Sequence, residues 1–294
     1  MENKDFIESL NSFCTKFDKH LEKWSKIPTF PQKLKNSISY INKTGGKRIR
    51  PFIVCEIASL FGAGFDKSIA AAVAIEMIHT YSLIHDDLPS MDNDDFRRGK
   101  MTLHKKYDEA IAILTGDSLL TESFSLLVKN YGKKNPKMSV DLILYLSCAA
   151  GGAGLVGGQI LDLYPTGKNL NSIKRMQKMK TGELFICSSA FGAILGAASK
   201  KDFKNMIFIG DRLGRSFQII DDILDVIGDE KIVGKKTRKD REQGKITLVD
   251  LLGIKKSRLM AKKYIEESIK VLSHYRNKSD RLIALSKYII DRSL

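Results

Sequence analysis

The sequence predicts an all-α protein built as a single domain, and three observations carry that prediction. Most segments place apolar residues three and four apart, the spacing of one helix face. Nowhere do β-branched residues alternate with polar ones over a convincing length, as a half-buried strand requires. No Gly/Ser-rich or Pro-rich linker divides the chain and nothing repeats at a fixed short interval, so residues 1–294 are expected to form one domain.

Residues 3–26 read as an amphipathic helix with Phe6, Leu10, Phe13, Phe17, Leu21 and Trp24 on one face, punctuated by Pro28 and Pro31. A helix follows to about Asn42. Thr44-Gly45-Gly46-Lys47-Arg48-Ile49-Arg50-Pro51 then opens the next one, with proline tolerated in the first turn. Two glycines and three basic residues before a helix start can bind an anion through side chains and backbone N–H groups together, although a basic loop is the commoner meaning of that pattern alone. Helices are expected at 52–62 and 67–87, the second carrying Glu76, His79, Ser82 and Asp86 down one face before Pro89 ends it. A lone histidine at such a position is more often structural, but His79 points along the face of the carboxylates.

Further helical segments are expected at about 105–130, 136–151, 155–163, 169–199, 203–228 and 255–293. Gly167-Lys168-Asn169 caps the break before 169–199, and Lys180-Thr181-Gly182 inside it invites a kink that frees backbone carbonyls. Leu142–Leu161 is uncharged over about 20 residues, long enough to span a bilayer. Its five glycines, Gly151, Gly152, Gly154, Gly157 and Gly158, followed by Gln159, instead suggest two buried helices meeting at a glycine joint. Lys231 to Gly244 is polar and aperiodic, and reads as a mobile flap.

The chemistry concentrates in two clusters. Asp86, Asp87, Asp92, Asp94 and Asp95 put five carboxylates within ten residues, with Arg97 and Arg98 directly behind. Crowded carboxylates repel unless a cation sits among them, and hard oxygen ligands suit Mg²⁺ held jointly with phosphate oxygens. Guanidinium groups suit phosphate in turn. Alone, this cluster could equally be a solvated acidic loop. The second cluster, Asp221, Asp222 and Asp225, lies beside an apolar stripe of Leu213, Phe217, Ile220, Leu224 and Ile227. Gly214, Gln218, Asp221 and Asp225 form the adjoining stripe, and aspartates four apart share a helix face. Unpaired charge bordering apolar surface is costly, which implies bound cations.

The net charge of +15 comes almost entirely from lysine spread along the chain. Solvated lysine is the preferred reading, ahead of steering of anionic substrates and of nucleic-acid binding. Cys14, Cys55, Cys148 and Cys187 lie far apart without a CxxC pair, which fits buried thiols in a reducing cytoplasm. The charged start Met1-Glu2-Asn3-Lys4-Asp5 lacks the apolar core of a signal peptide.

Together, two aspartate triples about 135 residues apart, basic residues at Lys47, Arg50, Lys180, Lys235 and Lys245, and apolar walls point to a diphosphate with a hydrocarbon tail. Metal clamped between the carboxylate sets would stabilise diphosphate as a leaving group, which favours C–O ionisation to a carbocation. No serine, cysteine or histidine nucleophile–base pairing stands out.

The chain also resembles the short-chain trans-isoprenyl diphosphate synthases, most of all the bacterial farnesyl diphosphate synthases, over nearly its whole length. Asp86-Asp87-x4-Asp92 with Arg97-Arg98 is similar to the first aspartate-rich motif of that family, and Asp221-Asp222-x2-Asp225 after Phe217-Gln218 to the second. Gly45-Gly46-Lys47-Arg48-x-Arg50-Pro51, Gly158-Gln159-x2-Asp162 and Lys180-Thr181-Gly182 match further motifs in order. The resemblance implies a helical bundle around a deep central cavity (the isoprenoid synthase type), usually a cytoplasmic homodimer. It implies Mg²⁺, three ions with the diphosphate bound, held by Asp86, Asp87, Asp92, Asp221, Asp222 and Asp225. Arg97, Lys180 and Lys235 would contact the allylic diphosphate. Lys47, Arg50, His79 and Arg98 would hold isopentenyl diphosphate. Thr181 and Gln218 would present oxygens toward the developing cation, and Lys245 matches a position near the substrate. Where the family usually has proline, this chain has Met101, so a looser loop is expected there.

Tyr81 and Ser82 precede Asp86 by five and four residues, about 6–7.5 Å along the helix axis. In the family a tyrosine at that level goes with a C15 product, so farnesyl diphosphate is preferred over the geranylgeranyl or geranyl product. A terpene cyclase and a non-catalytic partner subunit fit the two complete aspartate triples less well. A basic, non-catalytic helical binder, including a nucleic-acid binder, does not account for the acidic clusters. Neither nucleic acid nor stable membrane insertion is expected.

Overall fold

A computed structural model describes residues 3–227 and 245–291; the expected flap and Lys235 lie outside the described residues. Over that range the protein is helical but for one two-residue-per-strand hairpin. The helices are α1 (Asn3–Ser25), α2 (Gln32–Asn42), α3 (Ile49–Leu60), α4 (Phe65–Asp86), α5 (Leu103–Lys106), α6 (Glu109–Leu127), α7 (Pro136–Ala150), α8 (Leu155–Leu163), α9 (Leu170–Gln177), α10 (Glu183–Leu195), α11 (Lys200–Ile227), α12 (Leu248–Leu272) and α13 (Asp280–Asp291). π-helical turns continue α6 (Val128–Gly132) and join α9 to α10 (Lys178–Gly182).

α4 is the central element. Its apolar residues surround the axis rather than forming a stripe, and α3, α6 and α10 pack around it. The predicted face of α1 is buried through Phe6, Leu10, Phe13, Phe17 and Leu21, with Phe13 edge-on to Phe52 of α3 at 5.2 Å. Among the described residues three helices, including α4, are long and apolar enough to cross a membrane by length and composition, but α4 buries those residues in the core. The glycine joint at 151–154 separates α7 from α8 as expected. Those helices are not fully buried, however. Val140, Leu144, Val156 and Ile160 stay exposed beside Ile113, Leu114 and Val128 of the α6 segment.

Several boundaries move for identifiable reasons. α3 begins at Ile49 because Arg48 takes a left-handed backbone (φ 45°) as its N-cap. The expected 105–130 helix is divided at Asp108, whose carboxylate caps α6 by accepting from the Ile111 N–H. The 169–199 helix is interrupted where Lys180-Thr181-Gly182 suggested a kink. The 255–293 helix is two helices. A Thr247/Asp250 capping box starts α12 earlier, Gly253 (φ 73°) bends it, and a 3₁₀ segment at Ser273–Ser279 parts it from α13.

The loop with Met101 is not loose. Phe96–Arg97 (β1) pairs with Lys100–Met101 (β2) across Arg98-Gly99, both at positive φ, as a tight primed turn requires. The Tyr40 hydroxyl donates to the Met101 carbonyl at 2.8 Å and Lys100 Nζ to the Lys43 carbonyl at 2.9 Å, tying the hairpin to α2.

α4 meets α6 at Gly116, where an added Cβ would strike the His85 ring. His85 Nε2 in turn lies 3.1 Å from the Ile113 carbonyl. Gly116→Ala is therefore expected to lower stability by about 1–3 kcal/mol through overpacking, read as a lower thermal midpoint. An unchanged midpoint would show that α4 can shift away from α6 without cost.

Candidate active site

The C-terminal end of α4, the hairpin, the start of α3, the end of α9 with the π turn that follows it, and α11 converge on a cleft of about 360 Å³. Asp86 and Asp92 line it from one side, Asp221, Asp222 and Asp225 from α11, with Arg97, Arg98 and Lys180 between them. The two aspartate clusters therefore share one cavity.

Within the first cluster the carboxylates divide. Asp86 and Asp92 line the cleft; Asp87 does not. Asp87 is 2% exposed and accepts from Arg97 Nε and Nη2, each at 2.6 Å. Neighbours on a helix point about 100° apart, and here Asp86 faces the cavity while Asp87 turns onto Arg97. Burial pushes the Asp87 carboxyl up to about 6 against the pull of Arg97. Asp94 lies 3.5 Å from Arg97, and Asp95 pairs with Lys105 at the surface.

In the second cluster Asp222 is buried and takes an amide on each oxygen, from Gln218 at 2.8 Å and Gln177 at 2.7 Å. Asp221 and Asp225 lie on the cleft wall beside it. The expected stripe of Gly214, Gln218, Asp221 and Asp225 thus resolves into two adjoining rows.

Asp162, quoted above only as part of a motif, holds a central place. Its carboxylate lies 2.7 Å from Lys180 Nζ and 3.0 Å from Lys245 Nζ, and Lys245 also reaches Asp92 at 3.0 Å. Burial acts to raise the Asp162 carboxyl, but the two ammonium groups outweigh it and hold it below its usual range. Burial likewise acts to lower Lys180, and Asp86 and Asp162 together raise it. For Asp86, burial dominates the attraction of Lys180, and its carboxyl is raised. Gly158 makes this arrangement possible, because a Cβ there would run into the Lys180 backbone.

A second, cationic corner is formed by Arg50, His79 and Arg98. Arg50 Nη1 lies 3.4 Å from His79 Nε2, and its guanidinium sits 4.7 Å from the centre of the Phe185 ring. Burial first, then Arg50, Arg98, Arg97 and Arg48, hold His79 well below its usual value, so the ring is neutral and accepts from Arg50. Arg98 donates to the Gly45 carbonyl, and a Cβ on Gly46 would meet its Nη1 at 2.7 Å, so the glycine pair is a cradle for this guanidinium. Arg48 is turned inward onto Glu76 at 2.5 Å and Asp18 at 2.9 Å, clamping the start of α3 to α4. Lys47 is exposed and off the cleft wall.

Tyr81 and Ser82 are buried but also off that wall. The Tyr81 ring stands edge-on to His85 at 5.6 Å, and burial with the nearby Asp86 charge pushes its phenol up to about 12.

Among the described residues no three carboxylate, histidine or cysteine side chains are grouped closely enough to hold a metal alone. The donor set nevertheless fits Mg²⁺ arriving with a diphosphate, since that ion takes one or two carboxylates and completes its shell from phosphate and water. Asp86 and Asp92 on one wall and Asp221 and Asp225 on the other supply such donors.

The polyprenyl synthetase family model matches residues 31–285. The farnesyl diphosphate synthase of Micrococcus luteus is 38% identical, covering 99% of this chain and 97% of its own length. That of Escherichia coli is 37% identical over 98% and 99%. A geranylgeranyl diphosphate synthase of Cyanophora paradoxa is 38% identical over 90% and 89%. Among solved structures, an FPP/GFPP synthase from Zymomonas mobilis superposes with a TM-score of 0.87 at 34% identity, covering 98% of this chain and all of that one. A Helicobacter pylori geranyltransferase complexed with magnesium and isoprenyl diphosphate gives 0.83 at 32% identity, over 95% and 97%.

Proposed function

Because the chain belongs to the polyprenyl synthetase family and is a prenyltransferase, we propose that it condenses isopentenyl diphosphate with dimethylallyl and then geranyl diphosphate to give farnesyl diphosphate. The observation that carries this reading is the single cleft in which two carboxylate walls face a set of cations, with a separate cationic corner beside them.

Asp86, Asp92, Asp221 and Asp225 are the side chains suited to hold Mg²⁺. When bound with the diphosphate, the metal neutralises the charge that builds on the leaving group. Arg97 and Lys180 bind the allylic diphosphate, with Lys245 beside them. Lys180 and Lys245 are now engaged with Asp162 and Asp92, so they reach the ligand by exchanging one anion for another. Arg50, Arg98 and neutral His79 take the second diphosphate, and Lys47 closes on it from the rim. Thr181 faces the carbon that becomes cationic, and Gln218, whose amide oxygen accepts from Thr181, stands behind it. The allylic C–O bond breaks, the isopentenyl double bond forms the new C–C bond, and the proton then lost passes to the released diphosphate. Asp87 supports Arg97 rather than the metal. Lys235 keeps its proposed contact with the allylic diphosphate, from outside the described residues.

The exposed apolar side chains on α6, α7 and α8 fit a contact between two copies of the chain, and we place the homodimer there, in the cytoplasm. Incubation with Mg²⁺, isopentenyl diphosphate and either allylic starter is expected to yield a C15 alcohol after dephosphorylation, and none with EDTA. A C20 product would reassign the product, and no product from folded protein would overturn the reading.

Tyr81 is proposed to limit chain length, since its buried ring occupies the α4 level one and a half turns before Asp86. Tyr81→Ala is expected to shift the product toward C20 and longer. An unchanged product profile would place the limit elsewhere.

A further inference from the structure

The hydrogen bonds behind Thr181 have a fixed direction. Gln177 Nε2 reaches Asp222 Oδ2 at 2.7 Å, Gln218 Nε2 reaches Asp222 Oδ1 at 2.8 Å, and Thr181 Oγ1 lies 2.5 Å from Gln218 Oε1. Both Asp222 carboxylate oxygens are taken up as acceptors in these two contacts. Both glutamines must therefore turn their NH₂ ends to Asp222. That leaves the Gln218 carbonyl facing Thr181, so the threonine hydroxyl must donate. Its proton is committed to Gln218, and its lone pairs remain for the cleft that Thr181 lines.

The backbone is shaped to hold this row. Gly214, Gln218 and Asp222 recur every four residues on α11, and α11 approaches the π turn so closely that a Cβ on Gly214 would meet Gly182 Cα at 2.9 Å. Gln177, Thr181 and Asp222 are all buried. Asp222 is thus joined to Thr181 through hydrogen bonds, and Gln177, which no charge or motif marks, is the outer end of the row.

We propose that Gln177 and Asp222 are positioning residues that lock the Gln218 amide and so make Thr181 an obligate acceptor toward the allylic cation. An unlocked amide could flip, letting the threonine rotate its proton into the cleft, where it would oppose the positive charge. This deepens the prenyltransferase reading and rests on it for its kinetic consequence.

The test uses the full-length enzyme. Gln177→Leu and Asp222→Asn are each expected to lower kcat about tenfold or more. The KM for both diphosphates and the Mg²⁺ concentration at half-saturation should stay within about twofold. Gln177→Glu should lose activity at pH 8 and regain it as pH falls, because the introduced carboxyl must be protonated to donate to Asp222. Wild-type kcat in these variants would overturn the proposal. So would a raised Mg²⁺ requirement in Asp222→Asn, which would make Asp222 a ligand, or a pH-independent loss in Gln177→Glu, which would make the role structural. Slowed solvent exchange of the Gln177 and Gln218 side-chain amides, seen by NMR in ¹⁵N-glutamine-labelled wild type and lost in Asp222→Asn, reads the row without any turnover. It therefore separates failure of this proposal from failure of the prenyltransferase reading.

Discussion

Asp86→Asn is expected to lower kcat by about three to four orders of magnitude while leaving the protein at least as stable as the wild type. The activity loss follows from the small donor set. Two carboxylates of the first cluster line the cleft, and the substitution removes the charge of one without changing its size. Losing a group that stabilises charge in the transition state costs on the order of 10²–10³ when it is a single hydrogen-bond donor, and more when a metal is displaced with it. Stability moves the other way because burial raises the Asp86 carboxyl above its ordinary value. A carboxyl raised on folding makes the folded state less favourable wherever it is ionised, and that contribution disappears in the neutral amide. Lys180 is not stranded, since Asp162 stays 2.7 Å away. Activity within tenfold of wild type, or a clear fall in thermal midpoint, would contradict this account.

The same opposition explains what the sequence could and could not disclose. Apolar spacing identifies α1 and α11 because burial of a face is a periodic requirement, while α4 shows as a long, nearly uncharged apolar run ended by Pro89, and the two aspartate clusters lie where α4 ends and along α11. It does not say which of two adjacent aspartates turns inward. Asp86 and Asp87 are equivalent as letters, and only the Arg97 contact distinguishes them. Asp162 was visible as part of a motif, yet its role depends on two lysines 18 and 83 residues away in sequence. Gln177 carries no charge and meets Asp222 across 45 residues, so nothing local marks it. The expected mid-helix kink at Thr181 was legible because glycine punctuates a helix by a local mechanism. The hairpin at Arg98-Gly99 is not legible, and a looser loop is expected instead, because its strands are too short to show alternation.

Arg97→Ala is expected to cost about 3–5 kcal/mol of folding stability at pH 8, the range for breaking one side of a buried ion pair. Both Arg97 nitrogens point at one oxygen of a carboxylate that is almost wholly enclosed. Removing them leaves Asp87 to be buried as an uncompensated anion or to take up a proton. Even beside Arg97 its carboxyl is pushed up to about 6, and without that guanidinium it must rise further. The folded variant then binds a proton that the unfolded chain does not, so its stability falls with rising pH and recovers as pH drops through the raised value. The difference from wild type should be largest at pH 8 and much smaller near pH 5.5, read from denaturant midpoints at the two pH values. Adding Asp87→Asn should restore most of the stability at pH 8. It should not restore turnover, because Arg97 also lines the cleft and its charge would still be missing from the diphosphate. A pH-independent loss would mean that Arg97 stabilises through packing alone. Recovery of activity in the double variant would mean that the diphosphate is held without it.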